Sequence, residues 1–245
     1  MNGFIPILRL NISKRLKEGY ALGYNVIFPL VLIGLLGLMS KSASHGGITS
    51  YQYYHVVMLP FCILMSVITA AYSGKDDAFA NTAERVLLTP IGIPALVIGK
   101  IVACTLVITI FSFLTYVFLC LFIPGNITKS GYVLILYFSL TFLTSAAGAL
   151  IGLSTRKFVL LKNIMNIPIC ILGIFAGCFF PFYHELSLMT WVNRSIFLCL
   201  YDNQSDLLIG LSGALCLIGT LIVALAIYFF QKEDYYVGSL PGYEK

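Results

Sequence analysis

Charge is what this sequence has least of. Asp, Glu, Lys and Arg make up 10% of its 245 residues, where soluble domains carry about 25%. Together with 59% hydrophobic residues and a mean hydropathy of +0.94, that scarcity excludes a soluble domain of useful size and identifies an integral membrane protein. Histidine is scarcer still: His45, His55 and His184 lie near the ends of apolar runs, too scattered for a zinc-protease signature. The centres of those runs hold no ionisable side chain, which disfavours a carrier coupled to protons or sodium, because such relays use intramembrane charge. Serines and threonines within the runs have no membrane His or Asp to serve as a base, so an enzyme is not expected. Cysteine is present as Cys62, Cys104, Cys120, Cys170, Cys178, Cys199 and Cys216, but no CxxC pair occurs. These read as small buried thiols and not as metal ligands or a disulfide framework.

What is there is uncharged length. The runs Gly19–Ser40, Ser42–Gly74, Ile101–Thr128, Ser130–Thr155, Asn163–His184 and Leu207–Gln231 each reach the roughly 20 residues that a membrane helix needs. They predict an all-α protein with six transmembrane helices. The spans are placed near Tyr20–Met39, Tyr53–Tyr72, Ala95–Ile123, Tyr132–Leu153, Asn163–Cys178 and Leu207–Phe230. Continuous apolar runs exclude a β-barrel, whose strands alternate apolar and polar residues. With six spans, Lys41, Lys129 and Arg194 fall on one side and every other Lys and Arg on the side of the termini. The positive-inside rule then puts both termini in the cytoplasm of a multi-pass protein of the cell (plasma) membrane. The net charge of +5 reflects that topology and is no argument for nucleic acid.

Residues 1–18 read as an amphipathic helix in the headgroup plane. Phe4, Leu8, Ile12 and Leu16 form its apolar stripe, widened by Ile5, and Arg9, Ser13 and Lys17 lie away from it. Arg15 intrudes on the apolar face and is expected to snorkel. Pro29 and Pro60 predict kinks whose freed backbone groups neighbours must satisfy. Gly148-xxx-Gly152 and Gly173-xxx-Gly177 predict close helix packing. Residues 179–206 are too polar for a span and too apolar for a free loop. They predict short helices re-entering the outer leaflet, anchored by Trp191, the one tryptophan.

One polar stretch, residues 73–100, interrupts the apolar chain. Asn81-Thr82-Ala83-Glu84 has the form of a helix start, an Asn cap with Glu three residues on, and Thr89-Pro90 stops the turn. Asp76, Asp77, Glu84 and Arg85 read either as a solvated loop with weak ion pairs or as a docking handle. Gly92 to Lys100 is a near miss for a phosphate loop: too many residues separate its glycines, and Ile101 stands where Ser or Thr is required. ATP-driven transport would therefore need its ATPase on another chain.

Asp77, Thr82, Glu84-Arg85, Leu87-Leu88-Thr89-Pro90 and Gly99-Lys100 resemble the cytoplasmic segment between the second and third spans of type-2 ABC exporter permeases. The resemblance runs along the whole chain: a leading amphipathic helix, six spans, a coupling segment at 73–94, and an outer segment in which Phe180-Pro181 and Trp191 match. Asn81 departs from the family's usual Gly, Phe79-Ala80 from usual charges, and Met189 from a usual Pro. The resemblance implies one six-helix permease domain that exports a hydrophobic or amphiphilic substrate such as a drug, lipid-linked molecule or antimicrobial peptide. Two ABC ATPase subunits would carry ATP and Mg, with no cofactor on this chain, and a second copy or homologous permease subunit would complete the pathway. It implies ATPase coupling through Asp77, Thr82, Glu84, Arg85, Leu88 and Pro90. A path between subunits would be lined from spans two and five by Ser66, Thr69, Asn163, Asn166 and Phe175. The alternative is a self-sufficient carrier or channel.

Overall fold

The computed structural model describes residues 4–17, 19–40, 49–80, 82–88, 92–122, 129–155, 158–179, 185, 187–230 and 235. Among them there is no strand. A chain this apolar satisfies its backbone groups within helices, because lipid offers no hydrogen-bond partners. The helices are α1 (Phe4–Lys17), α2 (Gly19–Leu22), α3 (Phe28–Met39), α4 (Ser50–Met65), α5 (Val67–Phe79), α6 (Ala83–Leu88), α7 (Ile93–Phe122), α8 (Ser130–Ser154), α9 (Phe158–Phe175), α10 (Leu188–Tyr201) and α11 (Asp206–Tyr228). A π-helical turn, Gly23–Ile27, joins α2 to α3.

Among the described residues, four helices are long and apolar enough to cross a membrane: Ser50–Phe79, which is α4 and α5 together, then α7, α8 and α11. Gly23–Met39 and Asn163–Phe175 are shorter apolar helices. At 30 residues each, α4–α5 and α7 are about 45 Å long, some 15 Å more than a hydrocarbon core. The surplus lets polar side chains sit beyond the lipid tails. The most apolar stretch of α4–α5 is 78% buried and that of α11 only 22%, so α4–α5 is central and α11 peripheral.

Small residues set the closest approach, between α5 and α8. A Cβ built on Gly148 would lie 2.5 Å from the Val67 carbonyl oxygen, and one on Gly152 would strike the backbone of Ala71 and Gly74. Thr109 of α7 and Thr141 of α8 share a 2.6 Å hydroxyl hydrogen bond. The other glycine pair divides its work. Gly173 receives the ring of Phe61 from α4. Gly177, at φ 74, ends α9: its amide donates to the Ile174 carbonyl and that of Cys178 to Gly173. This is the Schellman pattern, in which a left-handed glycine satisfies the last carbonyls. The expectation of one packing face thus holds for Gly173, while Gly177 is a cap.

Pro29 has no amide hydrogen for the carbonyl one turn earlier, that of Asn25. Thr115 of α7 donates its hydroxyl to that carbonyl at 2.9 Å, and Ser112 donates to the Asn25 side chain at 3.3 Å. The π turn and the proline are thereby fixed to α7, with Asn25 buried. Near Pro60 the helical run breaks at Ser66, whose hydroxyl donates to the Ile63 carbonyl at 2.5 Å. Beyond the break α5 runs on to Phe79. The polar stretch that follows the expected span end near Tyr72 therefore begins as helix, because Ser73, Lys75, Asp76 and Asp77 belong to α5. The polarity of the two aspartates does not end it, since both are paired with cations on other helices.

α1 packs on α7 through an unexpected face. Ile7, Asn11 and Arg15 are its buried row, while Ile5 and Leu16 are exposed. At about 100° per residue, the predicted stripe lies beside this row, and Arg9, Ser13 and Lys17 lie beyond the stripe. α1 thus has a face toward the bundle, an apolar face and a polar face. Arg15 does not snorkel; it is buried in an ion pair with Asp76. At the other end of the bundle, α10 packs on α4, α9 and α11. Asn193 donates to the Ala176 carbonyl at 3.2 Å and Trp191 Nε1 to the Glu185 carbonyl at 2.8 Å. Phe180, Pro181, Phe182 and Leu186, also expected in this outer segment, lie outside the described residues.

A Cβ on Gly99 would stand 4.0 Å from the Ile7 Cβ, within disulfide range. Ile7→Cys combined with Gly99→Cys is expected to close a bond on mild oxidation, read by mass spectrometry as the loss of two free thiols. Gly152→Leu, by overpacking against backbone, is expected to destabilise the chain by about 1–3 kcal/mol or more in detergent unfolding.

Candidate functional site

The densest polar constellation sits where α1, α5 and α7 meet. Asp77, in the last turn of α5, is 4% exposed. A carboxylate that far from water must be paired and hydrogen-bonded, and three separate segments do this. Lys14 Nζ of α1 donates to Oδ1 at 2.9 Å, Lys100 Nζ of α7 pairs with Oδ2 at 2.6 Å, and the Tyr235 hydroxyl donates to Oδ2 at 2.6 Å. Lys100 completes its own set with the Ser73 and Gly74 carbonyls at 3.1 and 3.2 Å. Those carbonyls lie in the C-terminal turns of α5, where the helix dipole favours a cation. The Lys100 ammonium also stands 5.2 Å from the centre of the Tyr235 ring. Asp76 pairs with Arg15 alongside. Burial, and then the Asp77 carboxylate, raise the Tyr235 phenol above its ordinary range, so it remains a donor at neutral pH.

The same residue anchors the next element. The Asp77 carbonyl accepts from the Thr82 amide at 2.8 Å and from the Thr82 hydroxyl at 3.3 Å, which turns the chain into α6. This six-residue helix buries Ala83 in the apolar cluster of Ile7, Leu96 and Val97. It turns Glu84, Arg85 and Leu88 outward, with Leu88 85% exposed. Of the six expected coupling residues, Asp77 is thus interior and Thr82 half-buried, while Glu84, Arg85 and Leu88 form an outer surface. Pro90, with Asn81 and Thr89, lies outside the described residues. The four charges read either as a solvated loop or as a docking handle are divided: Asp76 and Asp77 are built into the bundle, and Glu84 and Arg85 face out.

The five expected path residues do not share one surface of the single chain. Ser66 and Thr69 are buried in the α4–α5 region, Asn166 is half-buried, and Asn163 and Phe175 are exposed on α9. α4 meets α9 through Phe61 on Gly173 and through the Tyr53 hydroxyl, which donates to the Gly177 carbonyl at 2.9 Å. Sequence reasoning missed Lys14, Lys100 and Tyr235 as members of one site, because it counted the lysines as topology markers and Tyr235 as tail. A signal was present: Lys100 sits about 10 Å along an apolar helix, where an ionisable group calls for a named partner. Asn25 was missed too, although a lone amide in an apolar run needs partners in the same way.

Among the described residues, no three His, Cys, Asp or Glu side chains gather as metal ligands. The chain matches no protein-family model and no curated protein. Without Lys100 the buried Asp77 would keep as its cation only Lys14, whose side chain is 35% exposed, and removing one partner from a buried ion pair is costly. Lys100→Met is therefore expected to cost about 3–5 kcal/mol in detergent unfolding. Lys100→Met with Asp77→Asn should recover much of that loss, since no buried charge is then left unpaired.

Proposed function

We propose that this chain is the permease subunit of an ATP-binding-cassette exporter, moving a hydrophobic or amphiphilic substrate out of the cell while a separate ATPase subunit hydrolyses ATP. The observation that carries the reading is α6. A short helix with Glu84, Arg85 and Leu88 turned outward is tied through the Asp77 carbonyl to the end of the most buried membrane helix. A push on α6 is thus delivered to the core of the bundle and not lost in a loop. An exposed leucine flanked by a carboxylate and a guanidinium is also suited to a protein groove. The sequence resemblance to type-2 permeases agrees with this use of the segment.

In this reading six spans cross the membrane, the four long helices together with Gly23–Met39 and Asn163–Phe175. α6 and both termini are cytoplasmic. A second permease, identical or homologous, and two ATPase subunits complete the assembly. The exposed side of α9, with Asn163, Ile167 and Phe175, then faces the partner permease or lipid. Ser66 and Thr69 come into play where the α4–α5 break opens.

The test is co-purification with a co-expressed ABC ATPase from the same cell, comparing wild type with Glu84→Arg. Stable association that the substitution weakens by about tenfold or more, with loss of permease-dependent ATP hydrolysis, is the expected result; reversing a charge at a docking surface costs about this much. Association and hydrolysis unchanged in Glu84→Arg would remove this face of α6 from the contact. Failure of any ATPase to bind wild type, with flux by the lone chain in liposomes, would make it a self-sufficient carrier or channel.

A further inference from the structure

The members of the Asp77 constellation are not equivalent. Without Lys100 the buried carboxylate would lose its one fully buried cation, and the three hydrogen-bond partners of Lys100, Asp77, Ser73 and Gly74, match its three donors. Lys14 holds the other carboxylate oxygen. Tyr235 is different. It is neutral, and when it departs Asp77 still has both lysines. It lies beyond the last residue of α11, Tyr228, and is fully buried. Its ring lies against Phe230 at 5.6 Å and shares an apolar cluster with Ile7, Val97, Ala149 and Leu153. A single side chain therefore touches the ends of α5 and α7 and lies over the α1 contact. Asp77, to which it donates, is also the residue from which α6 hangs.

We infer that Tyr235 is a positioning residue, a detachable clamp that holds α1 against α7 and α6 against α5. With the clamp closed, the four helix ends move as one body. With it open, the lysine–aspartate pairs persist but are reached by water, which weakens their attraction, and α1 and α6 become locally free while the rest of the bundle stays packed. The clamp is a property of this chain alone. Its consequence for transport, that the clamp sets how stiffly α6 passes motion to the bundle, rests on the ATPase reading above.

Amide hydrogen exchange on the purified full chain in lipid nanodiscs, without ATPase, tests the clamp. Tyr235→Phe removes one hydroxyl and keeps the ring. Losing a hydrogen bond to a charged group is expected to speed exchange in α1 and α6 by about tenfold, leaving α8 and α11 unchanged. A chain stopped after Phe230 should show a larger effect in the same two helices. If that chain does not fold, Tyr235→Phe alone decides. In Tyr235→Phe, the Ile7–Gly99 cysteine pair should restore protection to α1 on oxidation, because the covalent bond replaces the clamp. Unchanged exchange in α1 and α6 overturns the inference. So does a uniform rise across α8 and α11, which would make Tyr235 an ordinary packing residue. In the presence of ATPase, Tyr235→Phe should keep association and lower coupled hydrolysis, whereas Glu84→Arg should lower both. If no ATPase binds wild type, the transport reading fails and the exchange result still stands or falls by itself.

Discussion

A carboxylate withdrawn from water has to be matched, and Asp77 is matched by side chains from three parts of the chain. That requirement organises one end of the molecule. It draws Lys14 inward and so fixes the rotation of α1, placing Ile7, Asn11 and Arg15 against the bundle. It carries α5 beyond the hydrophobic run, because a paired aspartate is compatible with a helix interior where a solvated one would mark a loop. It positions Lys100 so that its ammonium closes the carbonyl end of α5. Buried ion pairs are often no more stabilising than an apolar replacement. What this one supplies is register, since only one rotation of α1 and one end point of α5 satisfy every charge.

The rest of the bundle obeys a related demand, that no backbone polar group be left to lipid. Pro29 would leave the Asn25 carbonyl without its helical donor, and Thr115 supplies one from the neighbouring helix. The price of the proline is therefore a contact between α7 and the π turn, and that contact fixes the first apolar helix in place. Gly177 meets the demand differently, turning left-handed so that two amides close the end of α9 while its own carbonyl accepts from Tyr53. Where neither device is needed, glycine serves only to bring backbones together, as Gly148 and Gly152 do beneath α5.

Much of this was legible in the sequence. Uninterrupted apolar runs gave the all-helical class, and the prolines gave the freed backbone groups. The Gly148-xxx-Gly152 face gave close packing, though not its partner. Composition could not say where α5 ends, because whether Asp77 is solvated depends on Lys14 and Lys100, far away in the chain. The face of α1 was misread for the same reason: an apolar stripe marks where lipid is acceptable, whereas the buried row was chosen by Arg15 and Asp76. α6 was legible as a short helix, although the expected cap, Asn81, lies outside the described residues and the described helix begins at Ala83. Its suspension from the Asp77 carbonyl was not, since it depends on backbone geometry.

The constellation around Asp77 also has an order in time. Lys14 and Arg15 are synthesised before the aspartates that neutralise them, and Lys100 arrives later still. Tyr235 follows after α11, the peripheral helix. During synthesis the basic end of α1 can be held only by water and lipid headgroups until α5 and α7 are in place. Completion of the site therefore requires that synthesis has reached Tyr235 and that α1, α5 and α7 have come together. A chain interrupted earlier would leave that charged end short of its last hydrogen-bond donor.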